Sequence, residues 1–163
     1  MNTTEILTLF DYNYWASARI MGAALQLTPA QFNAPNTAGH GSLRGTLVHL
    51  LTAAITWRTR LEHVERPPES ACATPQDFQQ AWDAEEQRMR AYLRRLSDAD
   101  LQARVAYQTS KGVPYEDPIW QVLMQLFNHG TQHRAEAAAM LTDFNHSPGD
   151  VDMIIYFREK AAP

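Results

Sequence analysis

Six histidines hold most of the reactive chemistry available to this chain: His40, His49, His63, His129, His133 and His146. His129 and His133 are spaced i,i+4 within the series Val122, Leu126, His129, His133, Ala137, Met140. Its apolar members recur at three- and four-residue steps, the period of a helix. That spacing sets both imidazoles on one helix face, with Cβ atoms about 6 Å apart. Two imidazoles on an apolar stripe lose hydration unless something satisfies them. A divalent ion does so, because neutral imidazole nitrogen is a good ligand for zinc, nickel, copper or iron. An ordinary pair of helical histidines is the competing reading.

The local string is His129-Gly130-Thr131-Gln132-His133. Gly130 stands where a zinc peptidase of the His-Glu-x-x-His type has its general base, so that chemistry is disfavoured. A mid-helix glycine costs about 1 kcal/mol against alanine, and it leaves room for a neighbouring helix or a ligand. Spacing alone does not fix a third ligand. His49 is the best candidate, since it reads as mid-helix and its own face carries the small residues Gly45, Thr46, Ala53 and Thr56. His40 in a loop, His63 near a helix end and His146 beyond one are expected at the surface.

Other polar groups are fewer. Glu136 lies one turn from His133. Glu85 falls between Trp82 and Met89 on an inner stripe, where a carboxylate needs a partner, for which a histidine N–H would serve. Arg44, Arg58 and Arg60 are either surface cations or contacts for an anionic substrate. Cys72, alone in a loop, reads as incidental.

The elements that must position these groups are helices. The first long helix opens at Asn2, with Glu5 in capping-box spacing, and carries the stripe Ile6, Phe10, Tyr14, Ser17, Met21, Leu25. Thr28-Pro29 ends it and starts a short turn of helix. A second runs from about Ser42 to Val64 and stops before Pro67-Pro68. A third runs from Thr74-Pro75 to about Leu96, with Phe78, Trp82, Met89, Leu93 and Leu96 inward. The fourth begins at Asp117-Pro118, read as a cap and a first-turn proline, and ends near Phe144. A last helix covers about Val151 to Lys160. Between the third and fourth, Val105 to Tyr115 alternates around Ser110-Lys111-Gly112 and predicts a short hairpin. The fold class is all-α, a four-helix bundle with that hairpin before the fourth long helix.

With 163 residues, a single domain over 1–163 is expected. A formal charge of −4 offers no large phosphate-neutralising surface, so no nucleic acid is expected as a partner. No apolar run approaches the roughly 18 residues that span a bilayer, so no membrane is expected. The opening residues lack the charge and cleavage pattern of a signal peptide. One cysteine cannot form an intramolecular disulfide. These features suggest a cytoplasmic protein.

Four segments together resemble a known family: Asp11-Tyr-Asn-Tyr-Trp15-Ala, Ser42-Leu-Arg-Gly-Thr-Leu-Val-His49-Leu-Leu, Asn128-His129-Gly-Thr-Gln-His133-Arg134, and Gly149-Asp-Val-Asp152-Met-Ile-Ile-Tyr156-Phe-Arg158. Their order and spacing resemble the DinB (DinB/YfiT-like) family over nearly the whole chain, and the two histidine segments are the specific part. The resemblance implies an up-and-down-type bundle with one long crossover. It also implies one divalent metal ion, zinc or nickel first, held by His49, His129 and His133. It further implies a homodimer, for which Ile20 and Tyr12 are candidate contacts. Some members resemble thiol-dependent transferases.

Three readings of function follow. The first is a metal-dependent S-transferase using a low-molecular-weight thiol on a small-molecule substrate. The second is a metal-dependent hydrolase, which a carboxylate near the metal would assist. The third is a non-catalytic metal-binding stress-response protein.

Overall fold

The computed structural model describes residues 1–109 and 111–162. In chain order its elements are α1 (Thr3–Ala24), α2 (Pro29–Phe32), α3 (Leu43–Glu62), α4 (Pro75–Leu93), α5 (Asp98–Gln102), β1 (Arg104–Gln108), β2 (Pro114–Pro118), α6 (Ile119–Asp143) and α7 (Met153–Ala161). Side-chain caps fix the starts of most helices. Asn2 with Glu5, Thr28 with Gln31, Thr74 with Asp77 and Ser97 with Asp100 form reciprocal capping boxes. Each satisfies backbone donors that a first helical turn leaves without partners. Ser42 accepts the Gly45 N–H at the start of α3.

The apolar stripes meet in one core. Ile6, Phe10, Tyr14 and Met21 of α1, Leu43, Leu47 and Leu50 of α3, Phe78, Trp82 and Met89 of α4, and Val122, Leu126, Ala137 and Met140 of α6 are all buried there. α1 packs against α4 and α6, and α3 packs against the same two, so α1 and α3 lie across the bundle's diagonal.

Polar contacts give the helix directions. Thr3, at the start of α1, donates to Asp98 just past α4, so these two helices are antiparallel. Arg44, at the start of α3, donates to the carbonyls of Ala71 and Cys72 just before α4. Glu62, at the end of α3, pairs with Arg95 just past α4. α3 and α4 are therefore parallel. Residues 63–74 carry the chain back along the bundle, the one long crossover the resemblance implies. Extended chain of that length reaches about 40 Å, enough to retrace α3, which is about 30 Å long. Pro67-Pro68 keep it from becoming helix.

The hairpin forms where alternation predicts it, with Val105 opposite Asp117 and Tyr107 opposite Tyr115. Ser110, placed by the sequence in its turn, lies outside the described residues. Three expectations need correction. Asp117 is not the cap of the fourth long helix. It sits in β2 and accepts the Tyr107 hydroxyl at 2.6 Å, while Pro118 takes the cap position without a side-chain bond. Ile20 is 1% exposed in the core and Tyr12 is 6% exposed beneath Tyr156 of α7, so neither is available as a dimer contact. Among the described residues no helix is long and apolar enough to cross a membrane.

Candidate metal centre

His49 projects from the middle of α3 and His129 and His133 from the middle of α6. The antiparallel packing of these helices brings the three imidazoles together. His129 Nε2 lies 3.1 Å from His49 Nε2 and 3.2 Å from His133 Nε2. Metal–nitrogen bonds of about 2.0–2.1 Å put neighbouring ligand nitrogens about 2.8–3.4 Å apart for the angles of octahedral to tetrahedral sites. The observed spacing fits that edge. The same distances are within hydrogen-bond reach, so in the metal-free protein the His129 Nε2 can exchange a proton-mediated contact with a neighbouring ring.

The surrounding groups set the tautomers. His133 Nδ1 lies 2.7 Å from Glu136 Oε2. With that N–H donating to the carboxylate, Nε2 presents its lone pair to the cluster. His129 Nδ1 is buried and has no hydrogen-bond partner among the described residues. Burial pushes the His49 imidazole down to about 4, helped by the charges of His40, His133 and His129 when protonated. Burial and the same kind of repulsion, from His133 and His40, push His129 down too. Both rings are neutral at pH 7, the form that binds a metal.

A pH effect on the metal-free protein follows. An unfolded histidine has a pKa near 6.5, well above the folded value for His49. Above that pH neither state is protonated and stability is full. As pH falls from about 6.5 toward 4, the unfolded chain takes up a proton that the folded chain refuses, so stability falls. The urea midpoint of metal-free protein should decline across this window, and His49→Asn should flatten the decline. An unchanged slope in the variant would refute the assignment.

The structure bears out the expected place of His40 and adds a contact the sequence does not show. It is exposed and in a loop, as read from sequence, but it is not an isolated surface residue. Its ring stacks on His49 with centroids 3.7 Å apart and planes within 16°, and its centroid is 5.1 Å from that of His133. His40, His49 and His133 each offer a ligand atom, all within 4.8 Å of one another, and these three form a cluster that could hold a metal ion. Nothing in the sequence pattern marks this except the glycines at 39 and 41, which let the loop turn back onto α3. His63 is instead the left-handed cap of α3 and His146 follows α6.

Two other residues find partners away from the cluster. Glu85, 2% exposed, is answered by Arg58 and not by a histidine, through bonds of 2.6 and 2.9 Å. Arg58 also donates to Glu62 at 2.7 Å and so is not a substrate contact. Arg44 is held by loop carbonyls, and Arg60 lies over the rings of Trp57 and Tyr107. Cys72 is buried. Gly130 serves a neighbouring helix: a Cβ there would meet Arg134 Nη1 and Asn13 Oδ1, each at 2.8 Å. It makes room for the buried contact between Arg134 of α6 and Asn13 of α1.

Compared with curated proteins, the chain finds no match. Against protein families, the model of the DinB family matches residues 1–161. That span holds all four bundle helices and every histidine of the cluster, and the chain belongs to the DinB family.

Proposed function

We propose that this protein binds one divalent ion, zinc or nickel, through His49, His129 and His133, and that it is a metal-dependent transferase acting with a low-molecular-weight thiol on a small electrophile. The observation that carries the reading is the convergence of three Nε2 atoms at 3.1 and 3.2 Å. An ion held by three neutral imidazoles keeps its charge and an open position, and it lowers the pKa of a thiol that reaches it.

The protein's own groups hold this arrangement in place. Glu136 fixes the His133 ring, and burial keeps His49 and His129 unprotonated. The choice of transfer over hydrolysis rests on the carboxylates. Glu136 Oε2 already accepts from His133, and Glu85 is bound to Arg58. Glu85 is therefore closed off and Glu136 is committed through Oε2 to orienting His133, so neither is dedicated to activating water. A thiol reaching the ion, by contrast, would be ionised by it and lose its proton to solvent.

The test is to load the protein with zinc or nickel and offer a thiol with a chromogenic electrophile such as a chlorodinitrobenzene. Conjugation that requires both metal and thiol, and that is absent in His129→Ala, is the expected result. Ester hydrolysis without thiol would make the protein a hydrolase. Bound metal with neither activity would make it a non-catalytic metal-binding protein.

The reading also includes a homodimer, no nucleic-acid partner, and a cytoplasmic setting that accords with a lone free cysteine. With Ile20 and Tyr12 buried, exposed Ile154 and Phe157 on α7 are the better candidates for a subunit contact. Light scattering at tens of micromolar protein would show a monomer if the dimer is wrong.

A further inference from the structure

His40 belongs to the loop between α2 and α3, and three observations show that the loop is built to deliver it to the cluster. The first is the backbone on either side: Gly39 and Gly41 both have positive φ, +56° and +78°, which glycine adopts without strain. The second is the fit against α3. The His40 N–H donates to Thr46 Oγ1 at 3.1 Å, and a Cβ on Gly45 would collide with the His40 carbonyl. The third is the fit against α6. A Cβ on Gly39 would meet Glu136 Oε2 at 2.9 Å and Met140 Cε at 3.1 Å, so the loop rests on the carboxylate that orients His133. Small residues at 39, 41 and 45 thus bring an exposed imidazole to the open side of three inward ones.

We propose that His40 is a fourth, exchangeable ligand of the metal centre, closing the coordination sphere when no substrate is bound and yielding its position to an incoming ligand. This rests on the metal site proposed above. In the metal-free geometry His40 lies parallel to His49, 3.7 Å away, a stacking contact in which the two rings' in-plane lone pairs run side by side. Ligation requires the ring to tilt, which the glycines on both sides allow. The position is suited to exchange because His40 is carried by a loop, whereas His49, His129 and His133 are fixed on helices.

Cobalt(II) substitution tests this without any assay of activity, since its visible spectrum reports the number and kind of ligands. Two variants separate ligation from stacking. His40→Ala removes both, and His40→Phe keeps an aromatic ring over His49 but has no nitrogen. In both variants cobalt should stay bound at about one ion per chain, with affinity lowered about tenfold to a hundredfold. Its spectrum should change, and added imidazole should return it to the wild-type form in His40→Ala. Spectra and affinity equal to wild type in both variants would overturn the proposal. So would a His40→Phe protein that matches wild type while His40→Ala does not, since stacking would then be the whole role. Loss of metal from His40→Ala as complete as from His129→Ala would also overturn it, because His40 would be a permanent ligand. If His129→Ala itself keeps its metal, it is the underlying site that fails.

Discussion

Replacing His49, His129 or His133 with alanine is expected to lower bound zinc or nickel from about one ion per chain to a small fraction of that. His63→Ala and His146→Ala should keep wild-type content. The effect is large because the proposed site has only three helical ligand nitrogens, with His129 Nε2 3.1 and 3.2 Å from the other two. Losing one leaves two helical imidazoles and the loop-borne, exchangeable His40, too weak a set to hold an ion against water. The helical fold should survive, because the core of the bundle is apolar and lies along the full length of α1, α3, α4 and α6. Elemental analysis after identical loading, together with far-ultraviolet circular dichroism, reads both outcomes. Equal metal in all five variants would rule the site out.

Arg58→Met is expected to destabilise the protein by about 3–5 kcal/mol, because it leaves a buried carboxylate without its partner. Glu85 is 2% exposed, and burial raises its pKa against the opposing pull of Arg58. Without the guanidinium, Glu85 must be protonated or drag water into the core. Glu62 would lose one of its two arginine partners as well, keeping Arg95. Replacing both Arg58 and Glu85 with methionine should recover most of the loss, since an apolar pair of similar volume carries no desolvation cost. Urea unfolding measures all three. A single variant within about 1 kcal/mol of wild type would show that the pair is hydrated and inconsequential.

The parts of this fold that were legible are those written in local periodicity. The spacing of Phe78, Trp82 and Met89, or of Val122, Leu126 and Met140, fixes which face of a helix turns inward whatever it packs against. The pairing of His129 with His133 is legible for the same reason. What was not legible depends on which helices become neighbours. Nothing near Glu85 in sequence shows that Arg58 faces it from a parallel helix. Ile20 lies outside the single row of residues taken as inner, but in a four-helix bundle α1 packs against two partners and buries a wider stripe. Tyr12 is covered by α7, an element that returns to α1 from the other end of the chain. Asp117-Pro118 has the local form of a helix start, and pairing with β1 overrides it. α5 was missed although Ser97 and Asp100 spell out its capping box, because a helix so short shows no periodicity. The exposed loop position of His40 was legible, but its approach to the cluster was not, because a loop's destination is set by the surface it lands on.

The three helical histidines of the proposed site come from two distant stretches of chain, His129 lying 80 positions after His49. The site therefore exists only after α3 and α6 have docked, and the disordered chain has nothing equivalent to offer an ion. An ion bound there would act as a thermodynamic tie between distant parts of the polypeptide, stabilising the native state by an amount that grows with the logarithm of free metal. At a hundred times the dissociation constant the gain is about 2.7 kcal/mol. With the proposed site occupied, the melting temperature would become a gauge of metal supply, and survival against proteolysis in a cell would rise and fall with the free concentration of that ion.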